Sequence, residues 1–179
     1  GFRAPTPGQS NISDVATNVD LNSGGLLLTA TRPPTDPVAQ FYGARPLDRE
    51  KSKNIAAGVV FDLPGGWVFT VDYFNIKVED RIALTSRIPI TAADRAAMLS
   101  QGIDPGDVQS VRFFGNFFDT KTEGVDAVFS KNWRLDSGLT LGLTASLNYT
   151  KNRITNVRDP RAVDRARRIA LSAFTPPWR

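Results

Sequence analysis

Between Leu139 and Thr150 the chain alternates without a break. Leu139, Leu141, Leu143, Ala145, Leu147 and Tyr149 hold the odd positions; Thr140, Gly142, Thr144, Ser146, Asn148 and Thr150 hold the even ones. A helix would mix the two sets on every face. An extended strand puts each set on its own face, because strand side chains alternate with period two. Two settings produce one apolar face and one small-polar face. One is an antiparallel sheet packed on a soluble core. The other is the wall of a membrane barrel, apolar toward lipid and polar toward a wet lumen. The run reaches the roughly 9–11 residues that a tilted strand needs to cross a bilayer. It exceeds the roughly 5–6 residues of an ordinary soluble strand.

Three further stretches share this grain. Ile55, Ala57, Val59, Phe61 and Leu63 alternate with Asn54, Ala56, Gly58, Val60 and Asp62, predicting a strand over 53–63. Pro64-Gly65-Gly66 reverses it. A strand over 67–84 opens with Trp67, Phe69, Val71 and Tyr73 on one face, and Val68, Thr70 and Asp72 on the other. Past Tyr73 the apolar set moves to Phe74, Ile76, Val78 and Ile82. A bulge or a change of environment along the strand would produce that switch. A strand over 122–133 carries Val125, Ala127, Phe129, Lys131 and Trp133 opposite Gly124, Asp126, Val128, Ser130 and Asn132. RLDSG then turns it into the strand over 139–155. In the barrel setting Asp72, Asp126, Thr144, Ser146 and Asn148 face the lumen, and Gly124 beside them lines a substrate path or simply packs.

The connections at 11–49, 87–118 and 157–179 are long. The first is read as loop apart from a small hairpin strand at Leu26–Leu28. The second holds a short helix over 92–101, started by Thr91 and Asp94 as a capping box with Asp in place of Glu and ended by Gly102. The third begins a basic helix, about 161–172, with Asp159 and Pro160 as N-cap and first-turn pair. Short and long connections alternate, which puts all short reversals at one end of the sheet. Outer-membrane barrels show that asymmetry, with aromatic girdles at both interfaces. Here Phe61, Trp67 and Trp133 lie at the short-turn end, and Tyr73 and Tyr149 further along.

The 179 residues contain no cysteine and no histidine. Disulfides, thiolate chemistry, a Ser-His-Asp triad and a histidine-bearing zinc site are thereby excluded. The net charge of +4 is too diffuse to indicate nucleic acid. No metal site and no cofactor are expected. Glu79 and Asp80 are adjacent on a strand, so they do not converge as a catalytic dyad would. Two clusters could bind a ligand. Arg112, Phe113, Phe114 and Asn116, in RFFGNFF, could form a lip, aromatic for a ring and Arg for a carboxylate. They could equally be sheet packing where the strand leaves the bilayer. Arg158, Arg161, Arg165, Arg167 and Arg168 could recognise an anionic ligand or lipopolysaccharide phosphates, with Arg165 and Arg168 the candidates, or could be a solvated helix face. The opening GFRAPTPGQS and the closing PPWR read as mid-protein sequence, so a fragment is expected.

GFRAPT, FYGARPLDREKSKNIAAGVVF, WVFTVDYFNIKVEDRIAL, FFGNFFDTKTEGVDAVFSKNW and LTLGLTASLNYTKNRI together resemble the C-terminal barrel region of TonB-dependent outer-membrane receptors. The likeness is weakest over 11–40 and 157–179. It implies an all-β antiparallel meander, four or five strands of a large transmembrane β-barrel that has 22 strands and a plug, with short helices in the long loops. It also implies a receptor in the outer membrane of a Gram-negative bacterium, not an enzyme. Such a receptor takes up a scarce nutrient: an iron-siderophore, haem, cobalamin or a saccharide. Its partners are outer-membrane lipid and lipopolysaccharide, the small nutrient ligand, and a TonB-type energy-coupling protein reached through parts outside this chain. Rival readings are a soluble all-β carbohydrate-binding module and a passive porin segment.

Overall fold

Every alternating stretch forms a strand, and the strands run beyond the alternation. The computed structural model describes residues 1–19 and 25–158. In chain order the elements are β1 (Phe2–Arg3), α1 (Pro7–Asn11), β2 (Asp14–Val19), β3 (Leu26–Thr31), α2 (Pro37–Phe41) and β4 (Glu50–Leu63). They continue with β5 (Trp67–Leu84), β6 (Ile88–Pro89), α3 (Ala92–Ser100), β7 (Ser110–Arg112), β8 (Phe114–Arg134) and β9 (Thr140–Val157).

β1, β4, β5, β8 and β9 form one antiparallel sheet in that order. Leu63, Trp67, Lys131 and Leu143 make a single cross-strand row, so the reversals at 64–66 and 135–139 leave the sheet at the same end. Gly65 and Gly66 sit at φ 84° and 77°, a left-handed conformation that only glycine adopts without strain.

One face of this sheet is apolar. Val59, Val71, Ala127 and Leu147 make one row, and Phe61, Phe69, Phe129 and Ala145 the next. Among the described residues no core covers it: Leu141 is 58% exposed, Leu147 57% and Val59 52%. A soluble sandwich would bury these side chains against a second sheet. Trp67 stacks on Phe129 with ring centroids 4.6 Å apart and meets Trp133 edge-on at 5.5 Å. Lys131 Nζ lies 4.5 Å from the Trp67 ring centre and 4.9 Å from that of Trp133, a cation held over two π faces at the turn end of the band.

The buried core lies at the opposite end. Phe113, Phe117 and Phe118 close over Ala39 and Ala44, and Val38, Met98 and Val111 form an adjoining cluster. The connection expected to be loop over 11–49 is largely structured here. β2 and β3 pair as a hairpin, α2 starts at Asp36, whose side chain accepts from Val38 N–H at 2.9 Å, and β4 begins at Glu50. Likewise 87–118 ends as loop at Phe113, because β8 starts at Phe114. Both faces of its first turns are covered, so no alternation marks them. A second sheet, β2-β3-β7-β6, includes a parallel pair, β3 with β7. Thr29 and Ser110 share a buried hydroxyl–hydroxyl hydrogen bond across it at 2.8 Å. Before α3, the Thr91 hydroxyl accepts from Asp94 N–H at 3.1 Å, and the Asp94 carboxylate accepts from Thr91 N–H at 3.0 Å.

The switch past Tyr73 has no bulge beneath it. Register with β8 is continuous from Trp67 to Val78, and the irregularity comes later, around Glu79–Asp80. The cause is environment: beyond Tyr73 the apolar face becomes charged, while Phe74 on the other face covers Gly124.

Candidate functional site

Asp80 is the hinge of the far end. It adopts φ 59°, unusual for a residue with a Cβ, and four partners hold it there, Lys51 among them with its Nζ 3.5 Å from Oδ2. Its N–H donates to Asp119 Oδ1 at 2.9 Å and its carbonyl accepts from Asn116 Nδ2 at 2.6 Å. Its carboxylate meets Arg158 Nη2 at 2.7 Å, and that guanidinium also reaches Asp119 at 3.0 Å. Glu50 locks the next residues. Its carboxylate is nearly buried, accepting from Ile82 N–H at 2.8 Å and from Arg3 Nε at 2.7 Å.

Asn116 also clamps the segment before β4. Its Oδ1 accepts from Asp48 N–H and its Nδ2 donates to Asp48 O, both at 2.9 Å. Segment 43–48 is thereby held against β8, leaving a cleft of about 730 Å³. Phe113 and Phe117 form its buried aromatic floor; Arg45, Arg158, Asp48 and Asp80 bring charge to it. Gly115 leaves room for the Phe117 ring to fold back over the strand. Arg45 is exposed, and no hydrogen bond or ion pair engages it among the described residues. Both rings are buried, so what the cleft offers a ligand is Arg45, which can meet an anion.

Of the expected lip, Phe113 and Asn116 line this cleft; Arg112 and Phe114 do not. Phe113 is 2% exposed and serves as floor, its N–H donating to Thr85 Oγ1 at 3.2 Å. Arg112 Nε donates to Thr85 O at 3.2 Å. Phe114 is half-buried opposite Leu84. Arg165, Arg168 and the basic helix at 161–172 lie outside the described residues. Arg45 and Asp48 went unnoticed in the sequence because they belong to no periodic pattern; the FYGARPLDRE segment was the only signal pointing to them.

Asp72, Asp126 and Asn148 form one row with Gly58 on the face opposite the leucines, and Asn148 Nδ2 donates to Asp126 Oδ1. Thr144 and Ser146 share that face, opposite Ser130 and Val128. Near the cleft floor, Tyr42 packs against both buried clusters. Burial, with the Asp94 carboxylate next in effect, pushes its hydroxyl up to about 12. Hydrogen bonds from Thr91 hold the Asp94 carboxyl below its ordinary range. Among the described residues no cluster suits a metal ion, and no helix is long and apolar enough to cross a membrane.

A family model described as TonB dependent receptor-like, beta-barrel, matches residues 1–179. No curated protein and no solved structure matches the chain.

Proposed function

We propose that this chain, which belongs to the TonB-dependent receptor-like β-barrel family of Gram-negative outer-membrane receptors, supplies barrel wall and part of the ligand mouth of a receptor for energised uptake of a scarce nutrient. One observation carries the reading. Both short reversals leave one end of the wall, while the connections holding β2, β3, β6, β7 and the three helices leave at the other, the end that carries the cleft. In an outer-membrane barrel the short turns are periplasmic and the long loops extracellular, so the cleft opens to the outside. The exposed apolar face meets lipid, and the Asp72–Asp126–Asn148 face meets the lumen. The far edge of β9 has no partner among the described residues, as in a wall that continues into a larger barrel. Capture uses Arg45 above the Phe113–Phe117 floor, joined by Arg165 and Arg168 from the third long connection. Release belongs to a plug and a TonB-type partner. The cargo class is an iron-siderophore, haem, cobalamin or saccharide.

The test places the intact receptor on cells and measures uptake of ferric siderophores, haem, cobalamin and maltodextrins, with and without a protonophore. Arg45→Ala, and Arg165→Ala with Arg168→Ala, should each weaken capture of the accepted cargo at least fivefold at normal surface abundance. Protonophore-insensitive uptake favours a passive pore and sinks the reading. Unchanged affinity in both variants removes these arginines from the mouth.

A further inference from the structure

Every polar atom of Asp80 is engaged. Its N–H donates to Asp119 Oδ1, and its carbonyl accepts from Asn116 Nδ2. One carboxylate oxygen meets Arg158 and the other Lys51. The partners come from β4, from β8 and from the residue directly after β9. Asp80 can reach all of them because it sits on a bulge. Between the Val78–Thr120 and Arg81–Phe118 pairs, two residues of β5 stand against Asp119 alone, and a bulge re-aims the strand that carries it. Asn116 passes the contact on. Its two amide hydrogens go to Asp80 O and Asp48 O, and its Oδ1 accepts from Asp48 N–H. Over 45–48 no other hydrogen bond holds the chain among the described residues. The stretch that carries Arg45 is therefore fixed through one side chain, and that side chain leans on the Asp80 peptide. On the other flank of Asp80, Arg158 opens the third long connection, the one that contains Arg165 and Arg168.

We infer that Asp80 links the two long connections that border the cleft and is the positioning residue for Arg45. While Arg158 holds its carboxylate, segment 43–48 is shut against β8; when Arg158 lets go, the segment loosens. The inference rests on the reading of the cleft as part of the mouth, and it adds the regulation of that site. The left-handed backbone at Asp80 is what makes the link work. A residue with a Cβ is reluctant to stay there, and such conformations persist only where surrounding contacts enforce them. The Arg158 pair, at 2.7 Å, is the short contact on the side chain; Lys51, at 3.5 Å and half exposed, is the long one. Once Arg158 leaves, relaxation of the bulge turns the Asp80 carbonyl away from Asn116. Asn116 then keeps two of its three bonds, and its amide is free to rotate off Asp48. The pair is also placed to break. The Arg158 side chain is 39% exposed, it lines the cleft, and Asp119 at 3.0 Å offers it a second seat. Movement of the third connection thus reaches Arg45 without touching it.

The test is hydrogen exchange of the intact receptor in phosphatidylcholine nanodiscs, read at the Asp48 amide. R158Q should speed exchange there roughly fivefold or more while exchange at Val71, in the middle of β5, stays as in the wild type. R158K, which keeps a cation beside Asp80, should stay close to the wild type. D80A should match R158Q. D80G, which adopts the left-handed backbone without strain, should remain within roughly threefold of the wild type, and adding R158Q to it should change nothing further. Unchanged exchange at Asp48 in R158Q overturns the link. So does equal acceleration by R158Q in the wild-type and D80G backgrounds, because the effect would then run through the direct bonds of Arg158 to the Asn116 and Phe117 carbonyls. If D80A fails to reach the membrane, R158Q in those two backgrounds still decides. None of these readings involves a nutrient. Capture that depends on Arg45 beside exchange indifferent to R158Q sinks the link alone; the expected exchange pattern with capture indifferent to Arg45→Ala supports the link and sinks the capture role.

Discussion

The ring of Phe74 lies across the backbone of Gly124, its partner in register on the neighbouring strand. A Cβ on that glycine would stand 2.5 Å from Phe74 Cζ and 2.5 Å from the carbonyl oxygen of Tyr149. An aromatic ring laid over a strand glycine is a recognised way of pinning register. Here it also gives Phe74 a packing role on the face opposite the leucines. Gly124→Ala should destabilise the refolded receptor by about 1–3 kcal/mol, the usual cost of overpacking. Adding Phe74→Leu should restore only part of this, because the Tyr149 carbonyl cannot move aside. Urea unfolding of the single and double variants measures it, and full restoration would count against the backbone contact.

Depth along the wall separates the two faces of β9. Leu143 lies opposite Lys131, close to the tryptophans, whereas Leu147 lies opposite Ala127 in the middle of the apolar band. Leu147→Arg should therefore cost about 2–4 kcal/mol in a bilayer, and Ser146→Arg on the other face much less. Folding yields in lipid vesicles report both, and equal defects would argue that the face assignment is wrong.

Removing the Glu50 carboxylate leaves the Ile82 N–H buried without its acceptor. Glu50→Ala should cost about 1–3 kcal/mol, the desolvation penalty of an unmet donor. Glu50→Gln, which keeps an acceptor oxygen, should cost less. Hydrogen exchange at Ile82 should accelerate in the alanine variant before exchange in the middle of β5 does.

Alkaline pH should loosen the far end before the wall. The Tyr42 hydroxyl is pushed up to about 12 from its ordinary value of 10.0. Its neutral form is thus favoured in the folded state. That contribution is fully present below pH 10 and is lost as pH rises toward 12. Absorbance at 295 nm should show a late-titrating tyrosine in the native receptor. Tyr42→Phe should abolish that component and flatten the alkaline loss of stability.

The wall was legible in the sequence because its two faces meet different surroundings. Leu139–Tyr149 alternates strictly and Ile55–Leu63 nearly so, and a single strand suffices to reveal them. Phe114–Lys121 was not legible as strand. Phe117, Phe118, Asp119 and Thr120 are all buried, and where both faces are covered the period of two disappears. β2 escaped for a different reason: it is held by backbone pairing with almost no burial, which composition does not record; of β3 only the start, Leu26–Leu28, stood out as a small hairpin strand. The cleft depends on Asn116 reaching Asp48, 68 residues away in the chain, a contact that no local pattern encodes.

The parallel pairing of β3 with β7 bears on the order in which the molecule assembles. Thr29 and Ser110 are 81 residues apart, so their hydrogen bond closes a large loop, and loop-closure entropy must be met before the contact gives anything back. The hairpins β4–β5 and β8–β9 are local and close far more cheaply. Once β5 has zipped to β8, the ends of that loop are already neighbours and most of the search is over. The outer sheet should therefore be the last part to form, after the wall strands are in place. Its polar segments would then cross the bilayer as extended chain and acquire their structure only on the far side.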